Sequence, residues 1–305
     1  SLLYPERTEE EKITLYSVFG GIPHYLNLID PKLSVEETII SLFYSKNKIM
    51  ETEIELLLNY ELKKIDAANS ILSMIKNSYL SYQEIEQKLS SYKNSNGPAY
   101  LLKKLINIGI LDKEIEINQS NKGRYYIKDN ALSFYYSYVY PYDNELNVVS
   151  PKEFYKEYIK DKLEKNFIPI QFEKICKEYL IIRNRNGLIK PIFHSIGKLI
   201  YHDKINNTNN EYDIITQDKK GYIYYECKYY NRALNDSDLK EEIDYANTSS
   251  FDFYNFGFFS KKGYKLKKEY SYHLYTLTDL FDKDILDWCN KRGCHITVSI
   301  FVFHQ

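Results

Sequence analysis

Long apolar runs are missing from this chain: nowhere in its 305 residues is there a stretch approaching the ~20 apolar positions that a bilayer span requires. That argues against a helical membrane protein or a membrane partner and predicts a soluble one. No basic stretch leading into an apolar one opens the sequence, so a cytoplasmic location is expected rather than secretion. Cysteine is scarce. Cys176, Cys227, Cys289 and Cys294 lack the paired spacing of a zinc site or a disulfide framework, which fits reduced thiols. An excess of one charge is missing as well: with a net charge of -1 there is no bulk attraction to nucleic acid, and any phosphate binding has to come from local patches. Also absent is a glycine-rich loop ending in Lys-Ser or Lys-Thr, so no P-loop ATPase activity is expected of these residues.

What is present centres on two segments, Glu211 to Thr216 and Tyr222 to Lys228, that alternate with the period of half-buried strands around the turn Asp218-Lys219-Lys220-Gly221. They predict a hairpin. If Gln217 and Tyr222 flank a four-residue loop, counting outward sets Asp213 opposite Glu226 and Glu211 opposite Lys228. Glu226 and Lys228 are two apart and share a face, with Cys227 on the other. Two acids and a base on one surface could hold a hard cation such as Mg2+ or Mn2+, with Glu211 in reserve and the Cys227 carbonyl as a further donor. Charged residues two apart also mark the solvent face of any amphipathic hairpin, so the spacing alone leaves both readings open.

Upstream, Phe172, Ile175, Cys176 and Tyr179 recur at helical spacing, and Glu173 sits at the edge of that stripe, where a carboxylate could extend a ligand shell. Downstream, Leu234 to Ala246 reads as a crossover helix capped near Asn235, Asp236 and Ser237, followed by strands over Phe253 to Ser260 and Tyr272 to Leu277. The pattern predicts an α/β layer with a mixed sheet.

The order of a helix bearing Glu173, then Asp213, then Glu226-Cys227-Lys228 resembles the PD-(D/E)xK nuclease superfamily, in particular its copy at the C-terminus of the archaeal-type ATPase family. Two further blocks extend the likeness over nearly the whole chain. Gly20-Gly21-Ile22-Pro23-His24-Tyr25-Leu26 is similar to that family's segment just after its ATPase core, and Phe258 to Tyr264 is similar to its late strand and turn. The resemblance implies Mg2+- or Mn2+-dependent hydrolysis of DNA phosphodiesters: Asp213 and Glu226 hold the ion, Glu173 extends the shell and Lys228 positions the attacking water. Ile196 to Ile200 departs from the family's tryptophans, and Trp288 to Gln305 has no counterpart. The family's ATPase core is absent, which implies a fragment or a relative that lost its motor.

Along the chain, residues 1–65 read as a helical segment, with a start at Glu9, a stop at Gly20-Gly21, a new start at Ser34 and a helix over Glu53 to Lys64. In the family such a segment joins the motor to the domains after it, so an apolar face awaiting a partner is expected. Residues 66–145 read as a winged-helix domain, with helices over Ala68 to Ile75, Tyr82 to Leu89 and Pro98 to Ile108 and a β-wing from Ile110 to Ile127. Were it to bind DNA, Lys103 and Lys104 on the third helix and Lys122 and Arg124 on the wing would meet phosphates. From Asp66 to Asn130, however, nine basic residues face seven acidic ones, a balance that suits protein contact equally. Residues 146–305 form the nuclease-like domain. The fold class expected is thus α+β and multidomain: helical segment, winged helix, and a restriction-endonuclease-like α/β domain with a mixed sheet. The partners expected are DNA and an ATPase core or another protein. The rival function is a non-catalytic, DNA- or protein-binding half of an ATPase, or a transcription regulator acting through the winged helix.

Overall fold

Local capping signals start the chain's helices where the sequence places them. Thr8 accepts from the Glu11 N–H while the Glu11 carboxylate returns to the Thr8 N–H, and the helix Glu9–Phe19 runs to Gly20, whose φ of +66° suits glycine. Ser34 and Glu37 repeat the device ahead of Val35–Ile39, which widens into a π-helical turn over Ile40–Tyr44. The computed structural model describes residues 4, 6–62, 65–89, 97–117, 123–203, 208–249 and 251–281; Lys122, Cys289, Cys294 and 288–305 lie outside them.

The expected unpartnered face of the first segment needs correction. Ile13, Leu15, Val18 and Phe19 are fully buried, because the helix Asn130–Tyr138 and the long helix Ile168–Arg185 pack against Glu9–Phe19. Phe134 belongs to this core, on a helix capped by Asp129. On Ile49–Glu61, Met50, Ile54 and Leu58 turn inward while Leu56 and Tyr60 stay exposed.

The middle of the chain holds the helices Ile65–Ile75, Tyr82–Leu89 and Gly97–Asn107 with three short strands, β1 (Leu80–Ser81), β2 (Leu111–Ile115) and β3 (Gly123–Ile127), in the antiparallel order β1-β3-β2. Then come β4 (Ser195–Asp203), β5 (Thr208–Gln217), β6 (Tyr222–Lys228), β7 (Leu234–Asn235), β8 (Phe253–Ser260), β9 (Tyr264–Lys265) and β10 (His273–Thr276). Five of these form a mixed sheet in the order β10-β8-β6-β5-β4. Its β4, β5 and β6 run antiparallel to their neighbours in that series, and β6, β8 and β10 run parallel. The protein is accordingly a mixed α+β structure, and among the described residues no helix is long and apolar enough to cross a membrane.

The β5–β6 hairpin takes the register counted from its turn, Gln217 opposite Tyr222 and Ile214 opposite Tyr225, but the pairing ends there, so the expected oppositions of Asp213 with Glu226 and Glu211 with Lys228 are corrected: Asp213 accepts from the Cys227 N–H and Glu211 pairs with Lys198. Its two faces bury different cores. Ile214, Ile223, Tyr225 and Cys227 join the core that contains Phe172 and Ile175 of the long helix, whereas Tyr212, Ile215 and Tyr224 pack with Leu239 of the crossover helix Asp236–Ala246.

The small sheet docks on the edge of the large one. The Ile117 N–H donates to the Lys198 carbonyl at 3.0 Å, Lys177 of the long helix pairs with Glu114, and the backbone of Ile115 passes directly over Gly197. A β-carbon at 197 would stand 2.9 Å from the Ile115 carbonyl oxygen, closer than real contacts allow. Glycine is needed there for close approach. Gly197→Val should therefore destabilise the protein by about 1–3 kcal/mol through forced separation of the two sheets. Urea unfolding followed by circular dichroism measures this, and an unchanged midpoint would count against the interlock.

Candidate functional site

Asp213 owes its position to an irregularity in β5. Gly197 pairs with Ile215 and Leu199 with Tyr212, so Lys198 alone faces both Asp213 and Ile214. This is a β-bulge, which breaks alternation and re-aims a side chain. The break is visible in the packing: Tyr212 and Ile214 have the same parity yet enter different cores. Asp213 is turned by it toward the long helix. There the β5–β6 pairing has just ended, and Asp213 Oδ2 accepts the freed Cys227 N–H at 3.0 Å.

Two carboxylate–ammonium–carboxylate groups flank Asp213. On the long-helix side, Lys198 Nζ lies 2.6 Å from Glu173 and 2.7 Å from Glu211. On the crossover-helix side, Lys228 Nζ lies 2.6 Å from Glu226 and 2.7 Å from Glu242, and the Tyr224 hydroxyl donates to Glu226. Five carboxylates thus share two ammonium groups. Of the residues expected from sequence, Glu173, Glu211 and Asp213 come together on one side, and Glu226 and Lys228 on the other, within electrostatic range of Asp213. Lys198 and Glu242 were not anticipated. Glu242 had a readable signal, because it lies one turn from Leu239 on the predicted crossover helix that must cover the Lys228 face; Lys198 had none, since only the bulge brings it opposite Asp213.

The charge imbalance shifts the titrations. Burial, reinforced by Glu173 and Glu226, raises the Asp213 carboxyl well above the usual carboxylate range against the pull of Lys198 and the Cys227 N–H. Glu226 is pushed up to about 7, chiefly by burial, with Lys228 opposing and Glu242 adding to the rise. Burial also disfavours the charged forms of Lys198 and Lys228, but their carboxylate neighbours outweigh it and hold both ammoniums charged. Beneath them Cys176 and Cys227 are free, buried thiols, both raised by desolvation.

This site suits a hard divalent cation in kind, since its donors are oxygens and its negative charge is in surplus. In spacing, among the described residues no three His, Cys, Asp or Glu side chains converge closely enough to hold a metal. An ion would therefore take one or two carboxylates, with water and phosphate oxygens completing its shell.

A cavity of about 470 Å3 opens in front of Asp213 and Glu173. Its walls come from widely separated parts of the chain, including the Gly20-Gly21-Ile22-Pro23 block, Tyr79, Tyr126 of β3 and Lys174 of the long helix. Burial, with the Lys198 charge adding, lowers Lys174 to about 8. The expected phosphate-contacting residues are dispersed by comparison. Lys103 is exposed beside Tyr100 on Gly97–Asn107 and Lys104 is half-buried. Arg124 is engaged by Glu84 at 3.0 Å and Glu116 at 3.6 Å.

Fold and site together define a mixed α+β protein whose forked sheet gathers buried carboxylates and lysines. A model of the DUF234 family, archaeal and bacterial proteins of unknown function, matches residues 135–242, a stretch holding both flanking groups in full. Uncharacterized protein MJECL04 of Methanocaldococcus jannaschii is 29% identical over 244 residues, covering 78% of this chain and 52% of that protein, so the chain spans about half the length of this relative. Protein VC1899 from Vibrio cholerae, a crystal structure, is 10% identical and covers 81% of this chain and 57% of its own, but with a TM-score of 0.25 it carries no structural argument.

The raised carboxyls have a consequence for stability. A carboxyl raised on folding binds more protons in the folded state than in the unfolded one, so its contribution is favourable below its unfolded pKa and is lost as pH rises through the folded value. For Glu226 that window runs from about 4.5 to about 7. Asp213→Asn, which keeps an acceptor for the Cys227 N–H and removes the charge, should raise stability at pH 8 more than at pH 5. Urea midpoints at the two pH values test this, and equal effects at both would refute the burial of like charge.

Proposed function

We propose that the five-stranded sheet with its flanking helices is a PD-(D/E)xK-like nuclease domain that hydrolyses DNA phosphodiesters with Mg2+ or Mn2+. The reading is carried by one observation: Asp213 stands in the fork of the hairpin with a surplus of carboxylate charge on both sides and a lysine within reach of the same point. Asp213 and Glu226 would hold the ion and Glu173 would extend its shell through water; the ion when bound would supply Lewis-acid polarisation of the phosphate and an acidified water. Lys228, kept protonated between Glu226 and Glu242, acts as a hydrogen-bond donor that orients water and steadies developing charge, not as a base. Burial, with Glu173 and Glu226 adding, disfavours a bare Asp213 carboxylate, a cost that a bound cation would offset.

Within the same proposal the small sheet and its three helices form a winged helix, and the chain is a fragment or relative of an archaeal-type ATPase. Lys103 on the outer face of Gly97–Asn107 offers the winged helix its phosphate contact, with Lys104 beside it, while Lys122 and Arg124 complete the set read from the sequence. Because Arg124 is already paired, Arg124→Ala should cost stability, whereas Lys103→Ala with Lys104→Ala should lower the salt slope of DNA binding by about 1–2. Fluorescence titrations at several salt concentrations measure the slope, and a slope unmoved by the lysine pair would remove this surface from DNA contact.

A second reading has its own observation: each carboxylate flanking Asp213 already has a lysine partner, as in a site kept for structure. The chain would then be the non-catalytic, DNA- or protein-binding half of an ATPase. Calorimetry with Mn2+ and a plasmid-nicking assay separate the two. The nuclease reading expects ion binding and nicking that both vanish in Asp213→Ala, while Lys228→Met keeps ion binding and loses roughly 100-fold or more in rate. Ion binding that survives Asp213→Ala unchanged would sink the nuclease reading and favour the second.

A further inference from the structure

The cavity in front of Asp213 holds two side chains that neither reading of the site uses. Gln171, Lys174, Glu178 and Ile181 follow one another at i, i+3, i+7 and i+10, so one face of the long helix floors the cavity over ~15 Å. Gln171 is 1% exposed, and its Nε2 donates to Asn77 Oδ1 at 2.7 Å. The Asn77 amide is itself fixed, because its Nδ2 faces the carbonyls of Asn166 and Phe167 at 3.4 and 3.3 Å. Both amides are thereby oriented, and Gln171 Oε1 is left on the cavity wall as a buried acceptor with no donor among the described residues. A buried acceptor of this kind calls for a donor.

One turn along, the Lys174 ammonium lies over the rings of Tyr126 and Tyr79, at 5.1 and 5.8 Å, and makes no direct ion pair among the described residues. Its neighbours differ: Lys177 is paired with Glu114 and Lys198 with Glu173. Among carboxylates on its wall, of which Glu114 and Glu173 are already paired with Lys177 and Lys198 while Glu178 and Asp213 are raised by burial, the cavity offers one cation for an anion, one acceptor for an N–H, and tyrosine walls against which a planar ring can pack. Its size fixes the scale of the occupant. A volume of 470 Å3 lies within the ~300–1,000 Å3 of pockets for single small molecules. A sphere of that volume is roughly 10 Å across, narrower than the ~12 Å major groove alone, so an intact duplex does not enter.

We propose that this cavity binds a single nucleotide unit, its phosphate against Lys174 and the donor edge of its base against Gln171 Oε1. The choice of a nucleotide rests on the phosphodiester reading of Asp213 and Glu173 at the cavity's edge; the site itself stands on Gln171 and Lys174. A free nucleotide and the terminal unit of a single strand share this chemistry.

The test titrates the full chain by calorimetry with EDTA present, so that the outcome is independent of ion binding. The probes are dAMP, the purine deoxyriboside monophosphate that lacks the amino group, dCMP, inorganic phosphate and a 5′-phosphorylated dinucleotide. Binding of dAMP or dCMP is expected, weakened tenfold or more in Lys174→Met. Gln171→Met should erase the preference for dAMP over its deaminated analogue while leaving inorganic phosphate binding unchanged. Binding of the dinucleotide as well as the monomers assigns the site to a strand end, and binding of monomers alone to a free nucleotide. The half-buried Lys174 is replaceable without disturbing the Gln171–Asn77 pair, so Lys174→Met decides the matter even if Gln171→Met fails to fold. No nucleotide binding, or equal binding by Lys174→Met and the parent, overturns the proposal. The Mn2+ titration of Asp213→Ala distinguishes that failure from failure of the nuclease reading: ion binding lost there with nucleotide binding absent leaves the nuclease reading intact.

Discussion

A shortage of positive charge at the fork of the β5–β6 hairpin is the constraint around which the rest of this protein is arranged. Among the described residues the direct ion pairs of Glu173, Glu211, Glu226 and Glu242 go to Lys198 and Lys228, and Asp213, between them, has none. In a partly desolvated setting such an imbalance is costly, and the protein has three ways to relieve it: take up protons, take up a cation, or keep the groups apart. Burial and neighbouring charge raise the Asp213 and Glu226 carboxyls, which is the direction of the first. The division of the flanking groups between the two faces of the sheet is the third. The second is the chemistry that a phosphodiester-cleaving site would use.

Lys198 ties this centre to the architecture. Its side chain bridges Glu173 and Glu211 while its backbone carbonyl receives the Ile117 N–H from the small sheet. The residue before it must be glycine for that approach, and the bulge opposite it turns Asp213 inward. Docking of the small sheet and the electrostatics of the fork are consequently one structural unit.

Much of this was legible from the amino-acid sequence, and what was not has physical causes. The helix starts at Glu9 and Ser34, the stop at Gly20, the hairpin register next to its turn and the strand Phe253–Ser260 depend on local chemistry, which a sequence states directly. Two-residue alternation correctly put Glu226 and Lys228 on one face. The same rule misplaced Asp213 relative to them, because a bulge is set by how the β4 edge pairs and no local residue in β5 announces it. The covered face of the first segment was misjudged for a similar reason: its partner, Asn130–Tyr138, lies over a hundred residues away in sequence. Long-range pairing carries no local signature.

The departures from ordinary folding rules are not scattered. The bulge, the cluster of like charges, the unmet Gln171 acceptor and the Lys174 ammonium, without an ion pair among the described residues, all border one cavity, and that cavity is walled by segments from widely separated parts of the chain. Each feature lowers stability, and selection for folding alone would remove them one at a time by neutral or apolar substitutions of similar size. Their concentration at one point argues that they are held there together. A surface charge network would be diluted over the protein, and a packing defect would lack the paired orientation of Gln171 and Asn77. Raised carboxyls, a bulge and an unmet acceptor gathered in one place are what functional sites show more often than purely structural ones.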